Sequence, residues 1–321
     1  MGKETEMDQE KTLYYRYSEY LKKAYGEKVY KLPVNLPVSC PNRQDGKTGC
    51  AFCSPLGTGF EAMDSCVPVT EQLRQNRARI EQKYHAHKFI AYFQNYTNTY
   101  LPAEQFREYM EEAAAAPDVV ELSVSTRPDC VGEEYLKILD EIRARTGLGI
   151  TVELGLQTPN YHTLAAINRG HTLAEFIDGA LAVRRYGFDL CAHVILNLPG
   201  DDLTDVIESA KILSALNVQV AKAHSLYIAR DTWLCNAYEN GTITVCEKEE
   251  YQERVITFLE YLDPSIAIER LFARAPKEDT VFCNWGCSWW KLQDELDEKM
   301  RSGGHFQGRC FDYLKGAALK F

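Results

Sequence analysis

An α/β architecture on a parallel sheet follows from three features of this 321-residue chain. Apolar, β-rich runs recur between residues 33 and 228, helix-periodic stretches separate them, and polar side chains gather where each run ends. Regular β-then-α alternation implies parallel strands joined by right-handed crossovers.

The strand runs are Leu32 to Ser39, Lys88 to Gln94, Val119 to Thr126, Gly149 to Leu156, Leu190 to Leu198 and Val218 to Ile228. Stretches such as IAYF, VVELSV and HVILNL are nearly continuous in apolar residues, the pattern of strands covered on both faces. Helical periodicity fits 70–84, 103–116, 132–146, 160–167, 172–187 and 202–216. Thr70, Thr172 and Asp202 suit N-caps, Gly147 and Gly187 suit C-terminal stops, and Pro102 suits a helix start. An open doubly wound sheet and a partial barrel both satisfy this pattern, and both collect ligands at the carboxyl ends of their strands. Beyond residue 228 the alternation stops. The tail predicts a helix near 247–261, a strand near Ile266 to Phe272, an amphipathic helix near Trp289 to Met300 and a loop around His305 to Cys310, all packed on the sheet. The expected organisation is an N-terminal extension over 1–30, the β/α unit over 31–230 and a C-terminal extension over 231–321.

Apolar residues make up 45% and charged residues 26% of the chain, which excludes disordered and fibrous classes. Residues 1 to 12 are polar and lack a secretion signal, and no stretch reaches the roughly 18 apolar residues of a membrane span, so a soluble cytoplasmic enzyme with no membrane partner is expected. Eleven cysteines, an odd number, argue for reduced thiols or metal ligands rather than a disulfide framework. The net charge of -10 gives no global basic character, but Arg74, Arg77, Arg79, Lys83, His85, His87 and Lys88 cluster against Glu81 alone. That segment reads either as a nucleic-acid patch or as a solvated helix.

Cys40, Cys50 and Cys53 form a C-x9-C-x2-C array after the first strand run. A closed structural zinc site takes four protein ligands, whereas a cluster that activates a substrate keeps one metal position free. The intervening PNRQDGKTG is turn-forming and suits a loop wrapped around a cluster, with the Phe52 ring beside it. Buried thiols, or a zinc ion completed by Cys283 or Cys287, satisfy the spacing as well. Polar residues stand at the ends of the later runs: Gln94 and Asn95, then Ser125, Thr126 and Arg127, then Glu153 and Gln157, then Asn197 to Gly200. They predict one shared rim. His193, Lys222 and His224 are further rim or core candidates, and Arg169 and His171 either serve the site or fix their loop.

The segments CPNRQDGKTGCAFC (40–53), STRPDC (125–130), VELGLQT (152–158), INRGHT (167–172), HVILNLPGDD (193–202) and FQG (306–308) together resemble the radical S-adenosylmethionine (SAM) enzymes. The resemblance is closest to their YtqA/YhcC-type branch, also called MnmL-like, and more distant to the radical domain of the Elongator catalytic subunit. It implies a partial (β/α)6 TIM-like barrel with an α+β C-terminal extension. It also implies a [4Fe-4S] cluster on Cys40, Cys50 and Cys53, whose open iron chelates SAM, and reductive cleavage of SAM to a 5'-deoxyadenosyl radical. The cofactor-binding positions so implied are Phe52, Gln94, Asn95, Thr126, Arg127, Glu153, Gln157, Arg169, Asn197, Pro199 and Gly200; no catalytic side chain is assigned. FQNYT stands where the superfamily often has Gly-Gly-Glu. The branch implies tRNA as substrate, with a 5-carboxymethylaminomethyl wobble uridine converted to 5-aminomethyl, and an electron donor such as flavodoxin or ferredoxin. A radical enzyme acting on a small molecule or peptide, and a non-catalytic zinc-stabilised RNA-binding protein, are the competing expectations. For an RNA substrate, Arg74 to Lys88, Tyr92, Tyr96, Tyr100, Trp289, Trp290, Lys291, Arg309 and Lys315 are the candidate contacts.

Overall fold

The computed structural model describes residues 12–44, 46–54 and 62–312; Lys315 lies outside them, as do residues 1–11 of the polar N-terminus. In chain order the elements are α1 (Tyr17–Tyr25), β1 (Val29–Val34), α2 (Val69–Tyr84), β2 (Lys88–Phe93), α3 (Ala103–Ala114), β3 (Val119–Thr126), α4 (Glu133–Thr146), β4 (Gly149–Gln157), α5 (Tyr161–Ala166), α6 (Leu173–Arg185), β5 (Asp189–Ile195), α7 (Leu203–Ala215) and β6 (Val220–His224). There follow β7 (Tyr227–Ala229), α8 (Trp233–Glu239), α9 (Lys248–Tyr261), β8 (Ala267–Arg270), β9 (Thr280–Cys283) and α10 (Trp289–Gly303).

Seven parallel strands in the order β1-β2-β3-β4-β5-β6-β8 curl into a half-barrel, while β7 and β9 pair antiparallel beside it. The continuous apolar runs explain why the strands sit inside helices: on β2, Phe89, Ile90, Ala91 and Phe93 are fully buried. Phe106 and Met110 of α3 and Phe176 of α6 close over the outer face, each contributing about 1.5–3 kcal/mol by burial. Thr172 and Asp202 build capping boxes at the starts of α6 and α7, as their positions predict.

Local competition moves several boundaries. α2 begins at Val69 because Pro68, with its fixed φ, sets the helix entry, and Thr70 instead bonds Glu112 of α3. β1 stops at Val34 rather than Ser39, because the Gln72 side chain takes both the N–H and the carbonyl of Asn35. The run expected over Val218 to Ile228 breaks after His224: the Asn197 side-chain Oδ1 accepts from Leu226 N–H, and β7 leaves for β9.

The largest difference lies in the tail. The strand expected near Ile266 to Phe272 does not pack on the sheet but joins it as β8 beside β6, so the sheet extends past the boundary expected at 230. α1, inside the expected N-terminal extension, spans the open side of the half-barrel between β1 and β8; Ile268 N–H bonds Tyr15 O at 2.8 Å. No described helix is long and apolar enough to cross a membrane.

Candidate active site

The cysteine loop is tied down by the segment between α5 and α6. Asn42 Nδ2 donates to Asn168 O at 2.6 Å, Asn168 Nδ2 donates to Gly49 O at 2.7 Å, and Ala51 N–H reaches Ile167 O at 2.8 Å. Gly170 adopts φ +73°, and a Cβ there would meet Asn42 Oδ1 at 2.8 Å, so the close approach needs glycine. INRGHT therefore works as a clamp on the loop.

Donors surround the sulfurs. Arg169 Nη1 and Asn42 Nδ2 lie 3.5 and 3.6 Å from Cys50 Sγ, Arg43 Nη1 lies 3.3 Å from Cys53 Sγ, and Arg127 Nη1 lies 4.0 Å from Cys40 Sγ. Burial pushes the Cys53 thiol up, and the Arg43 guanidinium pulls against it. Arg169 Nη2 also donates to Gly155 O at 3.1 Å, past a glycine whose Cβ would stand 2.7 Å from that nitrogen.

These thiols open on a cavity of about 180 Å³ at the carboxyl ends of the strands. Of the residues expected to form one rim, Cys40, Cys50, Phe52, Cys53, Gln94, Thr126, Arg127, Glu153, Gln157 and Arg169 line it together. Asn95, Asn197, Pro199 and Gly200 do not line it. Asn95 is turned to Asn35 Oδ1, and Asn197 fixes the break between β6 and β7. Arg127 lines the cavity, but its fork is engaged by Asp129 and by the carbonyls of Arg169 and Gly170.

Glu153 forms the floor and is fully buried. Its Oε1 accepts from Lys31 Nζ (2.6 Å) and Ser123 Oγ (2.9 Å); its Oε2 accepts from His193 Nε2 (2.6 Å), Lys222 Nζ (3.1 Å) and Tyr92 OH (3.1 Å). Although burial alone would raise its pKa, Lys222, Lys31 and His193 hold the carboxyl well below the usual range. Glu269 on β8 bridges the same two lysines, at 2.6 Å from Lys31 and 3.0 Å from Lys222. Glu153 is thus the hub of an ion network, the structural salt bridge that stands as the alternative to a site role for an inward-facing carboxylate. Lys31, Glu269, Arg270 and Arg274, absent from the sequence reading, belong to this interior or to the cavity wall.

Elsewhere, expected contacts disperse. Arg74 pairs with Glu71, Arg77 with Glu81 and Asp118, and Lys88 with Glu27, on the outer face of the half-barrel. Tyr92 is inside under Lys31 and Lys222, while Tyr96 lies against Arg43. Cys283 and Cys287 flank a turn and join no described group of three metal-ligating side chains.

A tetrahedral zinc holds its sulfurs about 3.8 Å apart, from the bond length of about 2.3 Å. Among the described residues, the trio with ligand atoms mutually within 4.8 Å is Glu153, Cys191 and His193, in which Lys31 and Lys222 already hold the carboxylate, and not Cys40, Cys50 and Cys53. The wider thiol set fits a multinuclear cluster. Arg169 Nε and Thr97 Oγ1, both on the cavity wall, are buried without a partner, which fits a polar ligand beside the sulfurs.

Half-barrel, three thiols and two unpartnered polar atoms on the wall are the features that an iron–sulfur cluster with a polar cosubstrate would use. Residues 34–213 match the Radical SAM superfamily and residues 218–302 the Radical_SAM C-terminal domain, and the chain belongs to the radical SAM superfamily. Its cofactors are accordingly a [4Fe-4S] cluster and S-adenosyl-L-methionine. The uncharacterised protein YtqA of Bacillus subtilis (strain 168) is 33% identical over 305 residues, 94% of each chain. The tRNA uridine(34) acetyltransferase of Methanocaldococcus jannaschii is 35% identical over 85 residues, 26% of this chain and 15% of that protein. Among solved structures, Methanocaldococcus infernus Elp3 with an N-terminal deletion superposes with a TM-score of 0.66 at 17% identity, over 87% of this chain and 64% of that one, which shows the shared fold.

Proposed function

We propose that the protein is a tRNA-modifying radical SAM enzyme that converts 5-carboxymethylaminomethyl uridine at the wobble position to 5-aminomethyl uridine. The observation that carries the tRNA reading is the identity over 85 residues to a protein named for tRNA uridine 34. The chemistry agrees with it: the C–H bond of the carboxymethyl carbon, between an amine and a carboxylate, is too weakly acidic for ordinary side-chain bases but open to homolysis. When bound, the cluster and SAM would supply a 5'-deoxyadenosyl radical that takes a hydrogen atom from that carbon; return of one electron to the oxidised cluster would leave an imine, which water hydrolyses to the 5-aminomethyl group and glyoxylate.

In this reading Cys40, Cys50 and Cys53 hold the cluster, and Asn42, Arg43 and Arg169 donate to their sulfurs. Gln94, Thr126 and Gln157 offer amide and hydroxyl partners to the cosubstrate, and Phe52 closes one wall against water. Arg127 acts through the clamp, holding the carbonyls of residues 169 and 170. The enzyme works in the cytoplasm with a flavodoxin- or ferredoxin-type donor. Nucleoside analysis of tRNA from a strain lacking the gene tests the substrate: 5-carboxymethylaminomethyl uridine should accumulate at the expense of 5-aminomethyl derivatives, and an unchanged profile overturns the assignment.

A further inference from the structure

A second, wider cavity of about 660 Å³ opens sideways between β1 and β8, under α1. It shares Tyr92, Gln94, Arg270 and Arg274 with the chamber at the cysteines, so these four residues form the throat between the two spaces. The half-barrel is open on this side because no strand pairs β1 to β8. Aromatic rings line the approach, with Trp289 stacked under the Arg274 guanidinium at 4.1 Å.

The charge of Arg270 is not cancelled by its neighbours. Lys31 and Lys222 are each bound to both Glu153 and Glu269, and that quartet is neutral. Arg270, the last residue of β8, reaches only Glu269 Oε1, at 4.0 Å, and that oxygen already has Lys222 at 3.0 Å. Among the described residues Arg270 has no other ion pair, yet its side chain is only 21% exposed. His224 adds no countercharge: burial, and next the Arg270 guanidinium itself, push its pKa well down, so the ring is neutral. A half-buried guanidinium in surplus, facing a cavity, is a costly arrangement unless an anion completes it.

We propose that Arg270 seats an anionic oxygen group of the substrate, a carboxylate or a phosphate, that arrives through the lateral cleft. The guanidinium fork binds such a group bidentately and so orients as well as attracts it. The arginines beside the thiols, Arg127 and Arg169, serve the other end of the chamber, within 4.0 and 3.5 Å of cysteine sulfur. Arg270 stands on an edge strand, whereas Arg127 and Arg169 follow the central strands and the α5–α6 clamp. That placement favours the substrate over the cosubstrate as the source of its anion. Naming that group as the carboxylate of the wobble substituent rests on the function proposed above; the seat rests on the charges.

Calorimetric titration of the reconstituted, SAM-bound protein tests the seat, with three probes: 5-carboxymethylaminomethyluridine, 5-aminomethyluridine and inorganic phosphate. Wild type is expected to bind the carboxylate-bearing nucleoside at least about 10-fold more tightly than the amine, Arg270→Gln to bring that ratio within about twofold, and Arg270→Lys to keep part of it. A wild-type ratio near one, together with phosphate binding that Arg270→Gln removes, upholds the seat, assigns it to a backbone phosphate and overturns the reading of the wobble substituent. Three results overturn the proposal: no probe binds wild type, Arg270→Gln changes neither the ratio nor phosphate binding, or the variant loses SAM affinity by the same factor.

Discussion

Replacing Glu153 by glutamine removes one charge from the floor of the half-barrel and keeps its shape. Two ammonium groups, Lys31 and Lys222, are then left to share the single carboxylate of Glu269. Side-chain exposure is 2% at Lys222 and 0% at Glu153, so water cannot make good the loss. Breaking a buried pair in this way costs about 3–5 kcal/mol, and Tm is expected to fall by roughly 4–7 °C for a chain of this length. The carboxyl is held well below its ordinary range, so its stabilisation is fully present above the unfolded value of about 4.3 and is lost as pH falls through the depressed folded value. The deficit of the variant should accordingly be complete at pH 7 and shrink in acid. Urea and thermal unfolding of Glu153→Gln against wild type measure it, and Glu153→Met with Lys222→Met, which removes both partners, should recover most of the loss. A variant within about 1 kcal/mol of wild type at pH 7, or a double variant no better than the single one, refutes the network as the stabilising element. Of the two roles the sequence offers Glu153, cosubstrate binding and a structural salt bridge, cosubstrate binding alone predicts no such stability loss.

Cys50→Ala should abolish the iron–sulfur absorbance and SAM cleavage while far-UV circular dichroism keeps the α/β signature; near-normal 5'-deoxyadenosine formation would remove Cys50 from the ligand set. Gly155→Ala places a Cβ 2.5 Å from Gln157 Nε2 and 2.7 Å from Arg169 Nη2, so both side chains must give way and the arginine shifts beside Cys50, lowering iron content per chain; an unchanged iron-to-protein ratio contradicts the clamp. Burial raises the carboxyl of Glu121 to about 7 despite the Tyr25 hydroxyl, so the native state keeps a proton that the unfolded chain loses near 4.3. Stability should fall as pH rises through that window, by on the order of 3 kcal/mol in all, and Glu121→Gln should flatten the slope; equal slopes in both proteins count against it.

What the sequence displays is what periodicity and local spacing encode. The parallel alternation, the capping boxes at Thr172 and Asp202, and the gathering of the cysteines with residues 94, 126, 153 and 157 at one rim all follow from short-range pattern. Pairings over long chain separations do not. Lys31 and Glu269 meet across 238 residues, and neither looks unusual in its own segment. The basic run Arg74 to Lys88 looked unopposed because Glu27 and Asp118, which answer part of it, come from other segments. Asn197 stood at the right strand end for a ligand contact, yet its side-chain Oδ1 serves Leu226 N–H, a demand created only when β6 breaks. The strand predicted in the tail was legible as a strand, but its place beside β6 depended on which sheet edge remained unpaired.

The most direct measurement follows a labelled hydrogen. The reconstituted protein is incubated anaerobically with SAM, a reductant and tRNA carrying wobble 5-carboxymethylaminomethyl uridine deuterated at the carboxymethyl carbon. Deuterium should appear in 5'-deoxyadenosine as 5-aminomethyl uridine forms. Turnover of SAM to unlabelled 5'-deoxyadenosine, with the wobble nucleoside unchanged, contradicts the account.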